Sequence, residues 1–218
     1  MLSTLSAGAA VASLLLTGSA SPTSARFGEE PPDGKITITV ATVNGSGCRP
    51  GSAAVAVAPD NTAFTVTYSE YLAQAGKGSK PTDSRKNCQI ALSVHVPQGF
   101  TYAVARADYR GYASLAAGAK GVEQAGYYFQ GQQETVRKSH TFTGPSEANW
   151  QASDETDIDQ LVYAPCGEER YFNINTELRV DASGADPQST SFMAMDSTDG
   201  SINTLYHFAW KQCPGHRR

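Results

Sequence analysis

Between residues 86 and 115 the apolar positions recur with a period of two. Ile90, Leu92, Val94 and Val96 alternate with Gln89, Ala91, Ser93 and His95. Beyond Pro97-Gln98-Gly99, the residues Phe100, Tyr102, Val104 and Arg106 alternate with Thr101, Ala103, Ala105 and Ala107. Successive side chains of a strand point to opposite faces, so the pattern predicts two adjacent strands, each with one buried face. Pro97 removes a backbone donor and Gly99 permits positive φ, which places the turn between them. Residues 35–43, 53–58 and 62–71 read as further strands. The last two form a hairpin around Pro59-Asp60-Asn61, with Phe64, Val66 and Tyr68 on one face. Strands are also predicted over residues 121–131, 134–144, 160–165, 170–180, 189–195 and 202–212. Residues 75–86 read as a mobile loop, 144–159 as a long acidic loop carrying Trp150, and 181–188 as a turn-rich break. A short helix fits only at 115–125. Short strands, turn signals about every 10 residues and no long 3.6-residue period predict an all-β fold. The expected architecture is a single-domain antiparallel β-sandwich, jelly-roll-like.

Residues 1–25 depart from this pattern. A small, apolar run with Leu14-Leu15-Leu16 at its centre is followed by Gly18-Ser19-Ala20 and Thr23-Ser24-Ala25, which suit a signal peptidase. The segment reads as a secretory signal peptide, although no Lys or Arg precedes the apolar run. A membrane anchor would need about 20 apolar residues. Residues 26–34 form a polar leader, 35–213 the β-sandwich domain and 214–218 a tail. No later stretch is long and apolar enough to span a membrane. The formal net charge is −4, with 17% charged residues, which argues against a nucleic-acid partner because that needs a basic footprint. Four cysteines, Cys48, Cys88, Cys166 and Cys213, suit an oxidising compartment. No pair has zinc-ribbon spacing. Three pairings exist. Cys48–Cys88 and Cys166–Cys213 are favoured because each closes a local loop, and a loop of about 40 residues stabilises by up to roughly 4 kcal/mol.

Candidate chemistry is sparse. No Gly-x-Ser-x-Gly elbow and no His-Glu-x-x-His pair is present. His95 and His207 read as solvent-facing strand residues. Asp154, Asp157 and Asp159 carry the oxygens that a structural Ca²⁺ takes, and Asp196 and Asp199 flank a polar turn; a solvated acidic segment is the simpler account. Tyr109, Tyr112, Tyr127, Tyr128, Trp150 and Trp210 are numerous enough to build a binding platform, against which stands their use as core filling. Within Asp108-Tyr109-Arg110-Gly111-Tyr112, Asp108 and Arg110 share a strand face and are placed to pair, and Gly111 suits a bulge or a close backbone approach. Tyr109, Arg110, Tyr112 and Trp150 are therefore the candidate binding residues.

Six short motifs occur in order: residues 44–51 (NGSGCRPG), 85–88 (RKNC), 97–100 (PQGF), 108–113 (DYRGYA), 165–167 (PCG) and 173–176 (NINT). Together they resemble the family called domain of unknown function 4360, over about residues 36–210. The resemblance implies a small secreted protein, of the kind found in actinobacteria and fungi, with one β-rich domain and no established activity. The expected role is non-enzymatic: binding an extracellular polysaccharide, cell-wall component or protein. An extracellular hydrolase and a surface-coat protein are the alternatives. No cofactor is expected apart from the Ca²⁺ option.

Overall fold

The computed structural model describes residues 27–133, 137–195 and 203–215. The signal-peptide reading, the Asp196–Asp199 turn and His216 lie outside them. Among the described residues thirteen strands build two facing sheets: β1 (Phe27–Gly28), β2 (Thr37–Asn44), β3 (Ala53–Val57), β4 (Ala63–Tyr68), β5 (Leu72–Gly76), β6 (Arg85–His95), β7 (Phe100–Leu115), β8 (Lys120–Phe129), β9 (Lys138–Thr143), β10 (Ser146–Glu155), β11 (Phe172–Asp181), β12 (Thr190–Ala194) and β13 (Thr204–Gln212). One sheet runs β3-β4-β13-β7-β12-β5, with β10 on the far edge of β7 and β1 beside β13. The other runs β2-β6-β11-β8-β9. Pairing is antiparallel apart from the two residues of β1. The all-β sandwich expected from the alternation is the fold, and both favoured disulfides, Cys48–Cys88 and Cys166–Cys213, are formed.

The strands on either side of Pro97-Gln98-Gly99 belong to different sheets, so this turn is an arch across the sandwich and not a hairpin. Gly99 has φ +86°, as the turn demands. Residues 115–125 hold no helix: a tight turn links β7 to β8. Residues 144–159 are largely strand β10. Residues 160–165 are irregular, and β5 forms where the loop reading began.

β7 carries the register change that shapes the site. Arg106 pairs with His207 of β13, but Val104 pairs with Phe208, which leaves Ala105 as an extra residue. Such a bulge switches the inward parity of the strand. Tyr102 and Val104 point inward before it; Ala107, Tyr109 and Ala113 point inward after it. Inward aromatic rings fill the space between the sheets. Phe64 stacks on Tyr206 at 4.8 Å, and Tyr102 meets Phe129 and Phe208 edge-on. The alternation of β4 is as expected, with Phe64, Val66 and Tyr68 all buried.

Candidate functional site

The four residues expected to form a binding platform are split by the sheet. Tyr109 and Trp150 are core residues. Arg110 is exposed and Tyr112 half-buried on the opposite face. Trp150 sits across from Gly111, where an added Cβ would lie 2.3 Å from the indole ring and 2.1 Å from the Ala194 carbonyl oxygen. Gly111 thus serves the close approach foreseen for it, and what approaches is the core. Asp108 does not pair with Arg110. It takes a forked pair of bonds from Arg106, whose Nε and Nη2 lie 2.9 and 2.7 Å from Oδ1. It also accepts from Ser153 Oγ at 2.5 Å and lies 2.9 Å from His207 Nε2. Ser153 and His207 both address this carboxylate, so the arrangement is not a serine–histidine relay. Burial tends to raise the Asp108 carboxyl, but the bonds from Arg106, Ser153 and His207 outweigh it and hold the group below its ordinary range. His207 is therefore half-buried and engaged, not a free solvent-facing residue, whereas His95 is exposed as expected.

Asp154 is only 4% exposed and points inward from β10, while Asp157 and Asp159 are exposed beyond it. The three are not gathered. Among the described residues no group of three His, Cys, Asp or Glu side chains is arranged to hold a metal ion.

What Asp154 does join is a buried polar cluster at the seam between the sheets. β9 and β10 are the edge strands there, and the contacts that bridge them include Phe142 against Trp150, with ring centroids 5.1 Å apart, and His140 Nε2, 2.8 Å from Asp154 Oδ1. Asp154 Oδ2 accepts from the Tyr109 hydroxyl at 3.2 Å and from the Tyr127 hydroxyl at 3.5 Å. A second carboxyl lies close by. Glu123 of β8 is directly opposite His140 in the register and is wholly buried. Neither of its oxygens has a hydrogen-bond partner among the described residues. Burial, and then the negative charge of Asp154, push it well above the usual carboxyl range and favour its neutral form. Burial likewise pushes up the surrounding phenols of Tyr68, Tyr71, Tyr127 and Tyr206, which stay protonated.

The cluster reaches the outside through a cavity of about 280 Å³. Its cause lies in strand length. Among the described residues β9 begins at Lys138, opposite Ala125, so no described strand pairs with the last residues of β8 on that edge. Tyr127 and Phe129 of β8 and Phe172 of β11 form one wall, and Val104 forms the facing one. Asp154 and Thr156 line the floor. Tyr128, Gln133 and Lys138 form the rim, and Gln160 and Val162 of the following loop close the remaining side. Tyr127 lies parallel to Phe172, with centroids 6.2 Å apart. The loop is held to the sheet by the Thr101 hydroxyl donating to the Ala164 carbonyl and by Leu161 and Tyr163 packing on Ala103, Ala105 and Ala209. Of these residues, Glu123 and His140 were not singled out from the sequence. A signal for each was present: Glu123 is in phase with inward Ala125, Tyr127 and Phe129, and His140 with Phe142.

The family described as "Domain of unknown function (DUF4360)" matches residues 34–213. The chain belongs to this family. An uncharacterized secreted protein of Arthroderma benhamiae is 35% identical over 186 residues, covering 85% of this chain and 75% of that protein. The protein is secreted, as this relative and the two disulfides indicate. The structure of TmCBM61 in complex with beta-1,4-galactotriose overlaps 85% of this chain and 92% of that one at 12% identity, with a TM-score of 0.29. A likeness of that size carries no argument about ligand or site. Among the described residues, no helix is long and apolar enough to cross a membrane.

Proposed function

We propose that this DUF4360 protein is a non-enzymatic extracellular binding protein for a saccharide, and that the cavity at the end of β8 is its site. One observation carries the reading: aromatic walls and a single buried carboxylate converge in a cavity of about 280 Å³ that opens to solvent. Ligand cavities are typically about 300–1,000 Å³, mostly apolar, with a few placed polar groups. This one lies at the small end and suits a single sugar unit, with a ring face against Tyr127 and hydroxyls toward Asp154 and Thr156. Glu123 does not line it, so a two-carboxylate hydrolysis, which needs both groups at the substrate, finds no support in the geometry.

The outer face of β7 is a second surface to weigh. Exposed Arg110 lies beside Tyr112, whose ring is 5.9 Å from that of Phe192. Retention of the purified protein on insoluble chitin, cellulose and bacterial cell wall separates the two surfaces. The cavity reading expects retention lost in Val162→Trp, which fills the cavity from its exposed loop side, and kept in an Arg110→Ala, Tyr112→Ala variant. The reverse result would move the site to the outer face, and no retention on any material would remove the polysaccharide reading.

A further inference from the structure

We infer that the cavity selects a ligand group carrying a positively charged nitrogen, which in saccharide chemistry means the ammonium of an amino sugar unit. The inference rests on the saccharide reading above and sharpens it.

Asp154 is held by the side chains of three described residues. Its partners among the described residues are one imidazole and two phenols. Elsewhere in this protein, buried carboxylates are held by guanidinium groups. Asp108 has Arg106, and Glu177, 4% exposed, takes bonds of 2.6 Å from both Arg85 and Arg179. Asp154 has no such permanent cation beside it. The local excess of negative charge is visible in its neighbour: Glu123 is wholly buried, has no hydrogen-bond partner among the described residues, and has its carboxyl pushed up by burial and then by the charge on Asp154. Two carboxyl groups gathered around one imidazole in a buried cluster mark a place where an incoming cation is stabilised.

The walls add to this. Tyr127, Phe129 and Phe172 offer ring faces and edges, and a cation over an aromatic face is attracted by the ring quadrupole. The one lysine at the mouth, Lys138, is exposed and donates to the backbone carbonyl of Glu155. A lone carboxylate with aromatic walls matches an ammonium group, which needs no multidentate cage, better than a metal ion.

Titration calorimetry with oligomers of glucosamine, of N-acetylglucosamine and of glucose tests this at a pH where the amine is charged. The expected result is binding of the glucosamine oligomer roughly tenfold tighter or more than either neutral oligomer, with the preference abolished in Asp154→Asn. Equal binding of all three, or tighter binding of a neutral one, overturns the inference while leaving the saccharide reading in place. Should Asp154→Asn fail to fold, choline and its uncharged isostere 3,3-dimethyl-1-butanol are titrated into the wild-type protein. Binding of choline alone upholds the cation preference, even if no sugar binds and the saccharide reading falls. Equal binding, or no binding of either, overturns it.

Discussion

Asp108 and Asp154 lie on neighbouring strands of one sheet, and Ser153, which donates to Asp108, is the residue before Asp154. Alternation sends one carboxylate outward and the other inward. The outward one is fully compensated: a forked arginine, a hydroxyl and an imidazole converge on it, and Arg106 also reaches Glu155 at 2.6 Å. The inward one is held by weaker donors and shares its surroundings with a carboxyl whose neutral form is favoured. Both carboxylates are nearly buried, so burial alone does not distinguish a structural ion pair from a candidate site. The supply of counter-charge does.

Substitutions at both places test that contrast. The largest effect is expected for Asp154→Ala, which leaves His140 and the Tyr109 and Tyr127 hydroxyls without their acceptor. A loss of about 3 kcal/mol or more in denaturant unfolding is expected, and a loss under about 1 kcal/mol would mean that water replaces the carboxylate freely. Next comes Glu123→Gln. Because the folded protein holds the Glu123 proton more tightly than the unfolded chain does, wild-type stability falls as pH rises above the ordinary carboxyl value of 4.5, until Glu123 ionises in the fold. The glutamine variant lacks this slope, so the difference in its favour should grow by about 1.4 kcal/mol per pH unit through that window. A pH-independent difference would show that Glu123 is ionised in the native state.

Asp108→Asn is expected to cost about 1–2 kcal/mol at neutral pH. The folded Asp108 carboxyl titrates below its ordinary value of 3.8, so its contribution is present above that pH and disappears on acidification through the lower folded value. The stability curves of wild type and variant should therefore converge in strong acid. Smallest of all, Arg110→Ala should leave the unfolding curve unchanged, because its side chain is exposed and Asp108 is served by Arg106.

The strands with a strong apolar phase were legible in the sequence: β4, β6, β8, β11 and β13 fall where the alternation places them. β10 was not, because its buried positions are only Trp150, Ala152 and Asp154 and its other face is polar. An edge strand with one large apolar side chain looks like an acidic loop. The bulge at Ala105 was invisible for a different reason. Nothing in a run of alanines marks the extra residue, yet it turns Arg106 outward and brings Tyr109 inside together with Tyr102. That single slip separates Tyr109 and Trp150 from Arg110 and Tyr112. The site itself joins residues that are distant in sequence, and a pairing such as His140 with Asp154 follows from β9 and β10 being the edges of opposite sheets.

The cavity has walls of two kinds, and they are open to change in different ways. Tyr127, Phe129, Phe172, Val104 and Asp154 are fixed by strand register, so a change in length there would shift whole strands. Thr156, Gln160 and Val162 belong to the segment between β10 and β11, which is anchored near one end by Cys166–Cys213 and folded over small alanines of the sheet. Surface loops tolerate insertion and deletion far better than strands do. A chain built this way can exchange one side of its cavity, and with it the proposed ligand preference, while Asp154 and the sandwich beneath it stay as they are.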